Sequence, residues 1–343
     1  MSIAGSTVLV RFDHLRSLTH GPGLFEHARG VQPRPEHGYC LDDVSRALVV
    51  VSREPNPSPE IEALGRLFLD FTLSAVQPDG TCHNRMTVNG TWSDEPAPGD
   101  WWGRALWGLG VASAHAGTPQ LRSDARLGFD RASRGQASTY LRESVFAALG
   151  AAEILTVDPD DRRARELLQA VVRACTPPGA VNPAWPWPEP RLSYGNGSVV
   201  EALVLAGHVL PDPAALAKGL HLLDFLLDLE TVAGHLSVTP VGGRGPGETG
   251  PAFDQQPIEV AALADACARA YDVTGDDRWR EGVRMAWAWF LGDNDSSIPM
   301  VDLDTGGGFD GLHHDGRNHN QGAESTLAAI STGQQARRLG VLG

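Results

Sequence analysis

Six segments of the chain share one pattern of polar and apolar positions. In each, a polar or acidic turn opens a stretch that becomes small and apolar and contains Ala-Leu or Ala-Ile. The six segments are Asp42–Leu48, Asp100–Leu106, Glu143–Leu149, Gly197–Leu203, Pro257–Leu263 and Glu324–Ile330. A helix that is small and apolar nearly all round is buried on all sides. The pattern therefore predicts six inner helices.

Segments of a different character lie between these six. They are amphipathic and charged on one side, which is typical of helices with one face in solvent. The clearest examples are Ile61–Val76, Arg162–Ala174, Ala214–Leu229 and Asp277–Leu291. A sixth outer helix has to come from the short segment Val8–Leu18. Alternation of the two kinds predicts a double ring of helices.

Stacked helix pairs form either an open solenoid or a closed toroid. Solenoid repeats keep a near-constant length because each must match its neighbours, whereas the loops here are irregular and the long insertions all precede inner helices. We therefore predict an all-α (α/α)6 barrel formed by residues 1–343 as one domain. The turn signals Pro78-Asp79-Gly80 and Val88-Asn89-Gly90 also predict a small β-hairpin on the face that carries the long loops.

Composition narrows the functional classes. Of 343 residues, 42% are hydrophobic and 20% charged, as in an ordinary globular protein. The formal charge of −14 disfavours a nucleic-acid partner. No apolar run is long enough for a membrane span or a signal peptide, and the four cysteines have no metal-like or redox-like spacing. We expect a soluble, cytoplasmic protein with reduced cysteines and no cofactor.

If the inner helices run parallel, the acids at their first turns surround one opening. Asp42, Asp100, Glu143 and Glu324 share one position of the repeat, and Asp43 and Glu259 lie close by. Any one of these acids could simply cap its helix and complement the helix dipole. Aromatic and amide residues near the same helix ends favour a cleft for a neutral sugar, because aromatic rings pack on sugar faces and amides hydrogen-bond hydroxyl groups. These residues are Tyr39, Trp101, Trp102, Trp185, Trp187, Phe309, Asn84, Asn196, Gln255, Gln256, Asn318, Asn320 and Gln321.

Trp107, Trp287 and Trp289 lie deeper in their helices and are expected in the core. The cluster His313, His314 and His319 lies in a glycine-rich loop without the rigid spacing of a zinc site, so we predict no metal. Sugar binding or proton transfer suits these histidines better. His235 opens another long loop and is a candidate for the same site.

Five blocks of the sequence resemble a bacterial helical-toroid domain that is often fused behind, or encoded beside, glycosyltransferases and mannoside phosphorylases. The blocks are Glu36–Asp43 with Arg46-Ala47-Leu48, Asp100 with Gly103–Trp107, Trp185–Trp187 with Glu189 and Tyr194, Phe253–Glu259, and Asp310–Leu312 running to Asn320–Leu327. The resemblance implies an (α/α)6 barrel and a carbohydrate context, with a glycosyltransferase as a partner encoded nearby. Glu143 stands where that family usually has a small residue, and Gly99 and Trp102 also depart from its pattern.

Glycosidic-bond cleavage needs one carboxylic acid that protonates the leaving oxygen and one carboxylate that activates water or attacks. Since crowded acids raise one another's pKa, we predict Asp43 or Asp100 as the acid and Glu259 or Glu324 as its partner. The predicted function is that of a glycoside hydrolase or phosphorylase acting on an oligosaccharide, with mannose as a candidate component. The predicted substrate-binding residues are His37, Tyr39, Asn84, Trp101, Arg104, Trp187, Glu189, Gln255, Gln256, His235, Asp310, His313, His319 and Asn320.

Two alternatives stay open. A sugar epimerase or isomerase would use His235 with His313 or His319 as acid and base on either side of a sugar carbon. A non-catalytic glycan-binding partner of a glycosyltransferase would need the aromatic residues but not the acids.

Overall fold

The computed structural model describes residues 10–135, 140–176 and 182–342. The predicted inner helices are all present, and each begins within two residues of its predicted segment. They are α2 (Leu41–Ser52), α4 (Asp100–His115), α6 (Leu141–Val157), α8 (Asn196–Val209), α10 (Pro257–Thr274) and α12 (Ala323–Arg338). Each packs against the next, and α12 packs back against α2, so the ring closes. The (α/α)6 barrel is confirmed.

The outer helices alternate with the inner ones as predicted. They are α1 (Asp13–Leu18), α3 (Pro59–Ala75), α5 (Pro119–Ala132), α7 (Arg162–Ala174), α9 (Pro213–Glu230) and α11 (Asp277–Leu291). Pro follows a Ser, Thr or Asp N-cap in α3, α5 and α9, where the missing proline N–H costs nothing. The predicted helix in Val8–Leu18 is reduced to the six residues of α1, and Val8 and Leu9 lie outside the described residues.

Small antiparallel strand pairs line the end of the barrel at which the inner helices begin, which we call the mouth. The strands are β1 (Thr19–His20), β2 (Gly23–Leu24), β3 (Ala28–Arg29), β4 (Gln32–Pro33), β5 (Tyr39–Cys40), β6 (Arg85–Met86), β7 (Thr231–Val232), β8 (His235–Leu236), β9 (Gly311–His313) and β10 (Gly316–Asn318). They pair as β1–β2, β3–β4, β5–β6, β7–β8 and β9–β10.

The predicted hairpin exists in shifted form. Met86 forms a bridge with Trp92 across a turn that contains Gly90, while Arg85–Met86 pairs with Tyr39–Cys40 just before α2. The strand pair therefore joins the loop before α4 to the start of α2. Gly38 permits the close approach, because its φ is +68° and a Cβ there would lie 2.2 Å from the Met86 carbonyl oxygen.

Close contacts between glycines bring the inner helices together. A Cβ on Gly150 of α6 would lie 2.1 Å from the Leu106 carbonyl oxygen of α4, and one on Gly110 would lie 2.3 Å from the Gly150 carbonyl oxygen. The backbones of α4 and α6 therefore touch directly. No helix of the described chain is long and apolar enough to cross a membrane.

Candidate active site

The first turn of α2 provides a deeply buried acid at the mouth. Asp43 is 3% exposed and accepts hydrogen bonds from Arg46 Nη1 at 2.5 Å and from the Cys40 thiol at 3.2 Å. Arg46 extends its other terminal nitrogen, Nη2, to Glu324 Oε2 of α12 at 2.8 Å. One guanidinium thus bridges two of the predicted catalytic carboxylates. Glu324 is partly exposed, so a ligand in the mouth can reach it.

Burial shifts the pKa of Asp43 and that of its hydrogen-bond donor Cys40. It raises the pKa of Asp43 to about 6, and the charges of Glu324 and Glu26 act in the same direction, against the lowering effect of Arg46. Burial also raises the pKa of the Cys40 thiol well above its usual range, so Cys40 remains a hydrogen-bond donor. Asp43 can therefore carry a proton in the pH range where ordinary aspartates have lost theirs.

Asp42, the neighbour of Asp43, has the opposite environment. Its Oδ1 accepts a hydrogen bond from Arg104 Nη1 at 2.9 Å, and its Oδ2 accepts one from Asn84 Nδ2 at 3.3 Å. Burial alone would raise the pKa of Asp42, but the charges of Arg104 and Arg46 outweigh burial and hold the pKa below its usual value. Two consecutive aspartates therefore differ in protonation. Asp42 shares the repeat position of the other acids but is not among the site residues predicted from the sequence.

Glu259 lies in the first turn of α10, yet its carboxylate faces the start of α8. Gly195 N donates to Oε1 at 2.5 Å, while Asn196 donates to Oε2 from N at 3.2 Å and from Nδ2 at 3.1 Å. Burial raises the pKa of Glu259, although the two backbone donors oppose the shift. Glu259 thus satisfies backbone donors that an uncapped helix would leave open, but the helix that it caps is α8, whereas the capping alternative had predicted its own helix, α10.

The side of the mouth formed by α4, α6 and the loop before α8 carries two further acids. Asp100 accepts a hydrogen bond from the Tyr194 hydroxyl. Burial raises the pKa of Tyr194, and this hydrogen bond raises it further. Glu189 is paired with Arg142 of α6, which is buried, at 2.8 Å. Arg142 also donates to the Tyr194 carbonyl oxygen at 2.5 Å, so one side chain fixes the course of this loop.

The histidine candidates lie on neighbouring loops. His235 Nε2 is 2.9 Å from Oδ1 of Asp295, which is buried, and Gln255 Nε2 donates to Oδ2 of the same aspartate at 2.5 Å. His313 Nδ1 lies 3.3 Å from Asp254 Oδ1. Asp254 and Gln255 are consecutive, so this segment links two His–Asp pairs.

Several predicted aromatic platforms are buried in the structure. Tyr39 is 1% exposed and stacks on Phe25, and Trp102 is fully buried with its indole N–H on the Ala132 carbonyl oxygen. Trp187 is 5% exposed. These rings present no open face to a sugar, because hydrophobic packing holds them in the core. Trp101 is partly exposed, but its indole N–H is bound to the carbonyl oxygens of Cys82 and Ala97.

The other predicted binding residues fall into two groups. Four of them support the walls of the site. Asn84 caps α2 by accepting a hydrogen bond from Leu41 N, and Gln255 is fully buried. Asp310 accepts a hydrogen bond from Gly322 N, and Asn320 accepts one from Gly30 N. Those with surface available to a ligand are His37, Gln256, His313 and His319. Arg104 is buried and lies over the Phe146 ring.

A narrow cavity of about 30 Å³ continues from the mouth along the barrel axis. Its lining includes Arg46, Arg104, Trp107, Phe146 and Leu327. The cavity has room for ordered water. Trp107, expected in the core, lines this cavity, whereas Trp287 and Trp289 are buried as expected.

Tertiary contacts bring to the site residues that the sequence pattern does not predict. Arg142, Glu26, Glu230 and Arg244 come from an inner helix, a strand connection, the end of an outer helix and a glycine-rich loop, respectively. None stands at the repeat position that marks the other acids. Only Arg142 carries a local signal, its position at the start of an inner helix.

Three potential metal-ligand atoms meet within the described chain, on Glu26, Cys40 and Asp43, all within 4.8 Å of one another. Arg85 is paired with Glu26 and Arg46 with Asp43. The carboxylates are thus already bound to cations, and the thiol keeps its proton. These features suit hydrogen bonding better than metal coordination.

Comparisons with solved structures identify barrels of the same architecture. The chain is 13% identical to a D-mannose isomerase, with a TM-score of 0.71 over 98% of this chain and 97% of that one. It is 14% identical to the cellobiose 2-epimerase of Spirochaeta thermophila, with a TM-score of 0.69 over 98% and 96%. It is 10% identical to an inactive variant of an α-1,6-mannanase of Salegentibacter, with a TM-score of 0.64 over 96% and 97%. That variant has two consecutive aspartates replaced by alanine and was solved with α-1,6-mannotetrose. No family model and no curated protein matches the sequence. At these identities, the shared feature is the (α/α)6 fold.

Proposed function

We propose that this chain is a carbohydrate-active enzyme that cleaves a glycosidic bond in an oligosaccharide by carboxylate acid/base catalysis. The observation that carries the proposal is the pair Asp43 and Glu324 held by one guanidinium, Arg46. Glycosidic cleavage requires two protein side chains at the same glycosidic bond, one a protonated carboxyl and the other an ionised carboxylate. Asp43, with its pKa raised to about 6 mainly by burial, is suited to the acid role.

Glu324 takes the second role in this proposal. Its carboxylate is the more exposed of the two and is fixed by Arg46 Nη2 at 2.8 Å, so it can meet water or the anomeric carbon directly. Asp42 stays ionised beside the acid and stabilises positive charge that develops on the sugar ring.

The solved proteins with the same fold support a sugar substrate for this chain, but they do not identify the reaction. The related mannanase variant lacks two consecutive aspartates, and this chain carries consecutive aspartates at its mouth, Asp42 and Asp43. The resemblance noted in the sequence adds mannose as the first sugar to try.

The second candidate function is epimerisation or isomerisation of a sugar. The two His–Asp pairs favour it, because a carboxylate fixes the orientation of each imidazole, and an oriented imidazole serves as acid or base. His235 and His313 would then act on either side of one sugar carbon.

A substrate panel separates the two candidates. Mannose- and glucose-containing oligosaccharides are incubated with the wild type, Asp43→Asn, Glu324→Gln and His235→Ala, with the exposed Asp304→Asn as the matched control. We expect new reducing ends or sugar phosphates from the wild type and the control. Both carboxyl variants should lose about 10²- to 10⁴-fold in kcat. Interconversion of free sugars that depends on His235 but not on Asp43 would overturn the proposal. Binding without any turnover would favour a glycan-binding protein instead.

A further inference from the structure

A buried arginine outside the acid pair has no hydrogen-bond partner for its guanidinium. Arg244 is 2% exposed, and its Nε, Nη1 and Nη2 atoms all lack a hydrogen-bond acceptor. Within the described residues, none of these nitrogens forms an ion pair with a carboxylate. An arginine keeps its charge at any physiological pH, and an unpaired charge is costly to bury. The charge of Arg244 acts on Glu230 and Glu248 without a hydrogen bond to either, so its three nitrogens still lack the acceptors that a buried guanidinium requires.

The backbone holds this arginine in a defined place. Arg244 and Leu192 exchange two backbone hydrogen bonds, at 2.8 and 3.0 Å, so the glycine-rich loop is paired with the loop before α8. Arg191 clamps the same two loops through two bonds to Glu248, at 2.7 and 2.9 Å. The guanidinium is thus positioned before any ligand arrives, which reduces the entropy lost on binding.

Arg244 lies beside the mouth rather than on a remote surface. The charges of Glu259 and Arg244 both act on Glu230, the last residue of α9. Glu230 is 1% exposed and accepts hydrogen bonds from Thr239 N and its hydroxyl. Burial raises the pKa of Glu230 to about 7, so this neighbour can be uncharged near neutral pH and then does not repel an anion.

We propose that Arg244 is the anchor of an oxyanion subsite next to the cleavage site. Its planar fork of N–H donors matches the paired oxygens of a phosphate or a carboxylate. Because the guanidinium is covered, entry of the anion requires the loop around Gly242 to Gly250 to move.

The oxyanion has two possible sources, inorganic phosphate or the carboxylate of an acidic sugar. If phosphate is the source, the subsite makes the enzyme a phosphorylase, an assignment that rests on the proposed function. A phosphate oxygen then bonds to the anomeric carbon while the glycosidic C–O bond breaks. The leaving oxygen takes the proton of Asp43, and the proton released by the phosphate restores it.

The test measures anion binding without requiring turnover. Melting temperatures are recorded for the wild type, Arg244→Gln and the exposed control Arg173→Gln, in phosphate and in chloride at equal ionic strength and pH. We expect phosphate to raise the melting temperature of the wild type and the control by about 2 to 4 °C. Arg244→Gln should show no rise. In chloride it should be at least as stable as the wild type, because it no longer buries an unpaired charge.

The absence of a phosphate effect in the wild type would overturn the phosphate source. The same comparison with glucuronate and mannuronate then tests the carboxylate source, and the absence of every effect would overturn the subsite. An equal rise in Arg244→Gln would also overturn it. If Arg244→Gln fails to fold, a crystal of the wild type grown in phosphate decides, with an anion within 3.5 Å of Arg244 expected. Loss of turnover in Asp43→Asn with an intact phosphate shift separates this inference from the proposed function.

Discussion

At the scale of single residues, Arg46 both positions two carboxylates and opposes the effect of burial on the pKa of Asp43. It holds Asp43 and Glu324 in place, and its charge lowers the pKa of Asp43 while burial raises it. A lysine at this position keeps the charge but lacks the fork that binds two carboxylates at once.

We therefore expect Arg46→Lys to lower kcat at least tenfold. The alkaline limb of kcat/KM should also move to higher pH, because the ionised form of Asp43 is less stabilised and the pKa of Asp43 rises. The surface change Arg66→Lys serves as the control and should alter neither quantity. An unshifted limb in Arg46→Lys would contradict the role given to this arginine.

The sequence predicts which acids lie at the mouth better than it predicts the residues around them. Asp43, Asp100, Glu259 and Glu324 each stand near the start of a small, apolar helix, and the structure places each in the first turn of an inner helix, while their catalytic roles stay predictions. Their partners could not be predicted in the same way. Arg142 reaches Glu189 and Glu259 reaches Gly195 through contacts between distant segments. Tyr39 looked like a binding residue beside Asp42 and Asp43, yet packing against Phe25 buries it.

At the scale of elements, Glu259 connects two inner helices. Its carboxylate receives three donors from the start of α8, where the helix dipole also favours a negative charge. We expect Glu259→Gln to lower the free energy of unfolding by about 1.5–3 kcal/mol, measured by urea denaturation. The loss of kcat should be smaller than in Asp43→Asn. A stable Glu259→Gln variant without activity would return Glu259 to the catalytic role predicted from the sequence.

Glycine contacts between α4 and α6 give a second prediction for the elements. Gly150→Ala should lower the free energy of unfolding by about 1–3 kcal/mol, because the new methyl group would clash with the Leu106 carbonyl oxygen. Gly65 in α3 is the matched control, because the nearest atom to its Cβ would be 3.8 Å away. Gly65→Ala should stabilise the protein by about 0.4–1 kcal/mol. Equal effects of the two changes in denaturation would contradict the proposed close packing.

The N-terminal region shows what local periodicity leaves out. The sixth outer helix predicted there is α1, only six residues long, and the strand pairs β1–β2 and β3–β4, which were not predicted, follow it. These pairs bind the loop before α12, for example through Ala323 N to the Glu26 carbonyl oxygen at 3.0 Å. The segment thus serves the mouth, a tertiary role that no local periodicity reveals.

At the scale of the whole molecule, buried carboxyls at both ends of the barrel link stability to pH. At the end opposite the mouth, Arg53 pairs with Asp265 and Arg269 pairs with Glu153. Burial, together with the charge of Asp265, raises the pKa of Glu201 in this cluster to about 7. Burial likewise raises the pKa of Glu230 to about 7.

A raised carboxyl pKa means that the folded chain holds its proton more tightly than the unfolded chain. The stabilisation is complete below the unfolded pKa of 4.5 and is lost as the pH rises through about 7. We expect the free energy of unfolding to fall by about 1–3 kcal/mol per glutamate between pH 4.5 and 7. Urea denaturation at several pH values checks this, and Glu201→Gln should flatten the curve. A free energy that rises over this interval in the wild type would contradict the buried, protonated state.

The most direct measurement of the central claim is the pH dependence of kcat/KM on any oligosaccharide that the wild type cleaves, compared with Asp43→Asn. If Asp43 is the general acid, kcat/KM of the wild type falls as the pH rises through about 6, because the acid loses its proton. In Asp43→Asn the residual rate is at least about 100-fold lower and has no limb near pH 6. A variant that keeps the wild-type rate, or the same limb, would contradict the assignment of Asp43.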